Sequence, residues 1–214
     1  MFITFEGIEG SGKTSQIQSV QTRLKQRGYH VVATREPGSS DIGSQIRSIL
    51  LNSRNKGLDP MAELLLYMAD RAQHLNKTVK PALSAGKIIL CDRYYDATLA
   101  YQGYARGLDI NLISQLHRLA FDDLKPDMTI LLDLDAETGL ARAWRQIDTG
   151  QRTGTETRFE EEALAFHSRV RSGYLSLAAA EPRRFKIVDA SASEEQVARE
   201  IITIIENIIG RDDS

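Results

Sequence analysis

The run Gly7-Ile8-Glu9-Gly10-Ser11-Gly12-Lys13-Thr14 fits the pattern G-x-x-x-x-G-K-[ST] without a gap. Glycines at this spacing let backbone N–H groups turn inward around phosphate oxygens, and the N-terminus of a following helix adds positive potential. Lys13 is then placed to hold the β- and γ-phosphates, with the Thr14 hydroxyl on Mg²⁺. A Gly-rich turn that only joins strand to helix would share the spacing. Here an apolar strand pattern precedes the loop and a helical pattern follows it, which is the context a phosphate site needs. Gly7, Glu9, Gly10, Ser11, Gly12, Lys13, Thr14 and Ser15 therefore form a candidate nucleoside-triphosphate site. Ile88-Ile89-Leu90-Cys91-Asp92 is an apolar strand ending in a carboxylate. Alone, Asp92 suits a strand-end turn equally well; beside a phosphate loop it is placed to reach the metal with Thr14. A switch GTPase would show D-x-x-G and N-K-x-D. Neither is present, since Asn55-Lys56-Gly57-Leu58-Asp59 has one residue too many. A small kinase remains.

These residues need strands and helices to hold them. Five short β-type runs stand out: Met1–Glu6, His30–Thr34, Lys87–Asp92, Met128–Asp133 and Arg184–Asp189. They are mostly Ile, Val, Leu and Phe without strict alternation, as expected of strands buried on both faces. Helical spacing predicts helices over Thr14–Arg27, Pro60–Ala85, Asn111–Leu124 and Ser193–Ile209. Alternating strands and helices predict an α/β fold with a five-stranded parallel sheet and helices on both faces, the architecture of P-loop NTPases. Gln146–Thr157 is polar and Gly/Thr-rich and reads as a mobile loop; Gly38–Ser44 is a second, shorter candidate.

Composition narrows the class. The chain has 214 residues, 42% hydrophobic and 26% charged, and its 27 Lys+Arg against 29 Asp+Glu leave a formal charge of −2. That size suits one domain over 1–214, and the near-neutral balance lacks the basic footprint of a nucleic-acid binder. The single cysteine, Cys91, excludes an internal disulfide and a CxxC metal site. The four histidines, His30, His74, His117 and His167, have no metal-ligand spacing and read as structural or exposed. No apolar run reaches the roughly 18 residues that span a bilayer, and Met1–Glu6 lacks the basic start of a signal peptide. The expectation is a soluble cytoplasmic domain that binds neither membrane nor nucleic acid.

Several separated motifs stand in one order: Phe5-Glu6-Gly7-Ile8-Glu9-Gly10-Ser11-Gly12-Lys13-Thr14, then Thr34-Arg35-Glu36-Pro37-Gly38, Leu65-Leu66-Tyr67-Met68-Ala69-Asp70-Arg71, and Asp92-Arg93-Tyr94 followed by Thr98-Leu99-Ala100-Tyr101-Gln102-Gly103. Along nearly its whole length the sequence resembles the thymidylate (dTMP) kinase family. The resemblance implies ATP-dependent phosphorylation of dTMP to dTDP with Mg²⁺, and a homodimer, for which the aliphatic-rich 61–75 and 112–121 are candidate faces. It aims Glu9 at the acceptor's 3′-hydroxyl, where the carboxylate also helps organise the metal. Tyr67 and Arg71, four apart on one helix and so on one face, match the aromatic that stacks on thymine and the Arg that reads a base carbonyl. Arg93 matches the Arg bridging the acceptor phosphate and the transferring group, where a guanidinium fits phosphate geometry. Arg47 matches the other acceptor-phosphate Arg. Glu36 and Pro37 lie in the loop beside the acceptor, while Thr98, Tyr101 and Gln102 match the lining of base and sugar. Tyr101 would disfavour a ribose 2′-hydroxyl.

Two features depart from the commoner family pattern. Ser39-Ser40 follows Arg-Glu-Pro-Gly where Gly-Gly or Gly-Thr is usual, and position 10 is Gly where one subgroup carries an Arg. The Gly-containing subgroup takes its catalytic Arg from a lid, here about 142–158. Arg142 matches the first lid-helix Arg, which also packs near adenine; Arg158-Phe159-Glu160 matches a D-R-[FI]-E motif with Thr157 replacing Asp. For the catalytic Arg the order of preference is Arg145, then Arg152.

Overall fold

A computed structural model describes residues 1–150 and 155–212. The elements in chain order are β1 (Phe2–Glu6), α1 (Lys13–Gln26), β2 (Val31–Arg35), α2 (Asp41–Leu51), α3 (Pro60–His74), α4 (Lys80–Ser84), β3 (Ile88–Asp92), α5 (Tyr95–Thr98), α6 (Ile110–Phe121), β4 (Met128–Asp133), α7 (Ala136–Asp148), α8 (Leu164–Ala180), β5 (Phe185–Asp189) and α9 (Glu194–Asp212). The strands form one parallel sheet in the order β2-β3-β1-β4-β5. Each lies where the apolar runs place it, to within a residue at either end. The three inner strands are near-continuous buried runs, while the edge strands β2 and β5 alternate buried with open positions. That contrast is what two covered faces and two free edges require. On one side α1 packs on α9, with Gln16 Nε2 donating to the Glu194 carbonyl at 3.0 Å. On the other, α8 packs on the segment Leu99–Ala105.

Three expectations need correction. The helix expected over Pro60–Ala85 is a continuous helical stretch, but a widened π-type turn, Leu75–Val79, joins α3 to α4. The stretch starts where Asp59 accepts hydrogen bonds from the N–H groups of Met61 and Ala62, with Pro60 at the first helical position. The polar segment Gly38–Ser44 is a loop only as far as Ser40; Ser40 accepts from the Gly43 N–H and begins α2. Ser and Asp signal turns and N-caps alike, and here the cap prevails. Finally, the loop expected from Gln146 begins later, because α7 continues through Asp148. Residues 151–154 lie outside the described residues.

The sheet register sets the site. Phe5 of β1 pairs with Asp92 of β3, so the two strands end side by side. Beyond β1, Gly10 has φ +72°, and a Cβ there would meet the Gly139 carbonyl at 2.1 Å; a Cβ on Gly139 would meet the Glu9 carbonyl at 2.6 Å. Paired glycines therefore let α7 rest directly on the phosphate loop.

Glu6, the last residue of β1, is wholly buried: its Oε1 accepts from the Tyr94 N–H at 2.8 Å and its Oε2 from the Tyr174 hydroxyl at 2.7 Å. Burial and the nearby Asp96 push its carboxyl up to about 7, against the pull of Tyr174, Arg93 and the Tyr94 N–H. A carboxyl raised this way stabilises the fold in its protonated form below its unfolded value of 4.5, and that contribution disappears as pH rises through about 7. Glu6→Gln stays neutral throughout. Urea denaturation of the parent chain at about pH 5 and about pH 8 is expected to show a loss of up to about 3 kcal/mol from this group, which the variant lacks. An identical pH dependence in both proteins would contradict the assignment.

Candidate active site

A cleft of about 1140 Å³ opens at the carboxyl ends of β1, β2 and β3, the position favoured for ligands in open α/β sheets. Single small-molecule sites usually occupy about 300–1,000 Å³, so the cleft is ample for two substrates. Its phosphate-loop wall holds Glu9, Gly10, Gly12, Lys13, Thr14 and Ser15. Gly7 and Ser11 shape the loop from behind without lining the cleft. Gly12 is left-handed at φ 89°, and no side chain caps α1, so no internal carboxylate or hydroxyl competes for its first-turn N–H groups. Lys13 folds over the loop, donating to the carbonyls of Gly7 and Ile8 at 3.0 and 2.8 Å and to Ser11 Oγ at 3.3 Å. Burial and Arg93 push its ammonium down to about 8, opposed by Asp92, Glu9 and Glu6. A bound polyphosphate would favour the charged form.

Thr14 and Asp92 meet as expected, with the Thr14 hydroxyl donating to Asp92 Oδ2 at 3.0 Å. A hydroxyl and a carboxylate form an oxygen-only donor set, which suits Mg²⁺ because that ion keeps several waters and shares phosphate oxygens. Among the described residues no three His, Cys, Asp or Glu side chains cluster as a self-sufficient metal cage. The residues fit a metal brought in with the nucleotide.

Glu9 and Arg93 face each other across the floor. Arg93 Nη2 donates to Glu9 Oε1 at 2.9 Å, and the Tyr101 hydroxyl donates to the same oxygen at 2.7 Å. The Arg93 guanidinium lies over the Tyr101 ring, 4.8 Å from its centre. Burial would raise the Glu9 carboxyl, but Arg93, His167 and Lys13 outweigh it and hold it well below the ordinary carboxylate range. Glu9 is thus an ionised acceptor in the cleft floor. Arg93 has φ 67°, uncommon for a residue with a Cβ. Such strain often marks a residue held for function.

The opposite wall contains the residues assigned to the acceptor. Arg71 is buried between Glu36 Oε2, at 2.9 Å from its Nε, and Thr98 Oγ1, at 2.9 Å from its Nη2. Behind it, His74 Nδ1 donates to Glu36 Oε1 at 2.7 Å, and Thr34 Oγ1 bonds His74 Nε2 at 2.9 Å. Burial raises the Glu36 carboxyl, but Arg71 and His74 more than compensate and hold it down. The relay fixes Arg71 from α3 against the β2 end. Tyr67, one turn before Arg71, is half-buried in the same wall; Pro37, Thr98, Tyr101 and Gln102 complete it. Gln102 Nε2 donates to buried Glu63 at 2.7 Å.

Arg47 lines the cleft too, but it is already engaged. Its Nη2 and Nε donate to Glu156 Oε2 at 2.8 and 3.1 Å, and its Nη1 to the Pro37 carbonyl at 3.1 Å. Of the lid residues, Arg142 donates to the Ala190 carbonyl at 2.9 Å. Arg145 is exposed near the end of α7, and its neighbour Gln146 is the α7 residue that lines the cleft. Arg152 lies outside the described residues. Arg158 is buried against Glu63, 2.6 Å from Nη2 to Oε2, and bonds the Leu50 carbonyl, so it ties its segment to α2 and α3. Glu63, His74, Glu156, Phe159, His167 and Tyr174 were not marked as site residues by the sequence reading. Their partners are remote in sequence, and no local spacing connects them. Cys91 is the buried strand residue expected, its thiol pushed up by burial.

Comparison with known proteins identifies the family. The sequence model of the family described as Thymidylate kinase matches residues 5–201. A thymidylate kinase of Desulforapulum autotrophicum is 55% identical over 212 residues, 99% of this chain and 93% of that protein. One from Trichlorobacter lovleyi is 57% identical over 203 residues, 94% of each chain. The crystal structure of thymidylate kinase from Ehrlichia chaffeensis superposes with a TM-score of 0.75 at 36% identity, covering 96% of this chain and 98% of that one. With a family match over nearly its whole length and the family's motifs gathered around one cleft, this chain belongs to the thymidylate kinase family.

Proposed function

We propose that this chain is a phosphotransferase that moves the γ-phosphoryl group of ATP directly to dTMP, giving dTDP and ADP, as a cytoplasmic step in dTTP synthesis. The observation that carries the reading is the Glu9–Arg93 contact on the cleft floor, with the phosphate loop on one side and the Arg71, Tyr67 and Tyr101 wall on the other. One free, buried cysteine suits a reducing compartment.

Phosphoryl transfer has a loose transition state, so positioning and electrostatics do most of the work. In this reading the loop N–H groups and Lys13 hold the donor phosphates. Thr14 and Asp92 hold Mg²⁺, which when bound neutralises charge on the phosphates. Tyr67 stacks on thymine, and Arg71, pre-set by Glu36 and Thr98, reads a base carbonyl. Tyr101 fills the space near C2′, and Glu9 accepts the 3′-hydroxyl. Arg93 exchanges part of its bond to Glu9 for the acceptor phosphate and the transferring group. Arg142 lies beside the adenine side, and a lid Arg, with Arg145 preferred over Arg152, completes the charge around the moving group.

Ile42 and Ile49 of α2, Leu65 of α3, and Leu112 and Leu119 of α6 are all exposed, and α3 packs against both α2 and α6. Large apolar side chains gathered on neighbouring helices suit burial against a second copy, and we assign this face to a homodimer.

In an ADP-release assay across dTMP, dUMP, CMP, GMP and thymidine, dTMP is expected to be the preferred acceptor, and Arg145→Ala to keep nucleotide affinity while losing about 10³ in kcat, as arginine fingers do. Preference for another acceptor would transfer the reading to a different kinase, and slow hydrolysis without acceptor dependence would favour a nucleotide switch. Glu156→Gln frees Arg47 for phosphate, so KM for dTMP falls by up to about fivefold, the scale of a partly exposed ion pair of ~1 kcal/mol; a rise in KM would contradict the competition. Light scattering of the parent chain gives twice the mass of 23.9 kDa, and Leu65→Glu shifts it toward the monomer; a monomeric parent would refute the dimer face.

A further inference from the structure

His167 lies in α8, wholly buried and far in sequence from the motifs that mark the site. Its Nδ1 is 3.2 Å from Glu9 Oε2, and its Nε2 is 2.9 Å from the Phe159 carbonyl oxygen. Glu9 is held on its other oxygen by Arg93 and Tyr101, so the imidazole supplies the third bond and fixes the carboxylate's rotation. Phe159 belongs to the segment that returns from the lid. Its ring packs edge-on to Tyr101 at 5.4 Å, and the preceding Arg158 anchors that segment to Glu63. One imidazole therefore connects the phosphate-loop carboxylate to the root of the lid.

We propose that His167 is the positioning residue that holds the Glu9 carboxylate in its working orientation and ties that orientation to the seating of the lid root. Carboxylate and carbonyl oxygens accept only, so a ring N–H is what either can take from His167, and the two ring nitrogens face groups from different parts of the chain. Losing the ring removes the bond to Glu9 Oε2, which frees the carboxylate to rotate. The inference rests on the reading of Glu9 as the acceptor's partner, and it identifies what sets Glu9 in place.

Three variants separate the two bonds. His167→Phe removes both ring nitrogens at similar volume, His167→Asn keeps a donor at the Nδ1 position facing Glu9, and His167→Gln keeps one at the Nε2 position facing Phe159. The expected result is that His167→Phe lowers kcat by up to about 10²-fold, the loss that a misplacement of about 1 Å can cause, with KM for ATP unchanged. His167→Asn recovers most of the loss and His167→Gln recovers little. Wild-type kcat in a folded His167→Phe protein would overturn the proposal, as would equal losses in the Asn and Gln variants, which would mark the ring as packing only. Should His167→Phe not fold, the Asn and Gln variants decide: higher kcat in His167→Asn than in His167→Gln is expected, and equal kcat in the two overturns the proposal. Glu9→Gln separates this inference from the reading beneath it. An unimpaired Glu9→Gln protein refutes the role of Glu9, whereas an impaired one beside a fully active His167→Phe refutes only the role of His167.

Discussion

The site depends on one constraint: β1 and β3 must end side by side, with Phe5 opposite Asp92. The phosphate loop leaves β1 at that level, and Asp92-Arg93 leaves β3 beside it. The Arg93 N–H closes the junction on the Phe5 carbonyl at 3.0 Å, and the Glu36 N–H joins β2 to it through the Asp92 carbonyl at 2.9 Å. Three strand ends thus bring Asp92, Arg93 and Glu36 together through backbone hydrogen bonds. A shift of one residue in a parallel register would turn every side chain to the opposite face, and Asp92 would then point away from Thr14.

Around that junction the chain buries charges that would be costly alone. Glu9, Lys13, Glu36 and Arg71 are all buried, and Arg93 is nearly so. Isolated buried ions carry desolvation penalties of several kcal/mol each. Here each carboxylate meets a guanidinium and a histidine: Glu9 with Arg93 and His167, Glu36 with Arg71 and His74. The two clusters repeat one device on the two sides of the cleft, a carboxylate held rigid by one Arg and one His. Fixed dipoles and charges of this kind need little rearrangement when phosphates arrive, which is the condition for electrostatic stabilisation of a loose transition state.

The sequence makes some of this legible and leaves the rest hidden, for physical reasons. The phosphate loop is contiguous, so its spacing alone specifies the turn, the lysine and the hydroxyl. The strands are readable because burial on both faces leaves them apolar throughout. The i, i+4 spacing places Tyr67 and Arg71 on one helix face, but their assignment to the base follows only from the resemblance to thymidylate kinases. His167 is not: its partner Glu9 is 158 residues away, and the partnership exists only after α8 has packed. Tyr174, 168 residues from Glu6, is hidden in the same way. The start of α2 was obscured by chemistry of its own, since the Ser40 side chain that caps the helix is also an ordinary turn signal.

The proposed function has donor and acceptor held on two adjacent strand ends, with the phosphoryl group passing directly between them. Transfer from ATP whose γ-phosphoryl group is made chiral with oxygen isotopes tests this directly, by reading the configuration at phosphorus in the product. Inversion is the predicted result, because a single in-line displacement inverts the centre. Retention would require two displacements and a covalent phosphoenzyme, and would contradict the account.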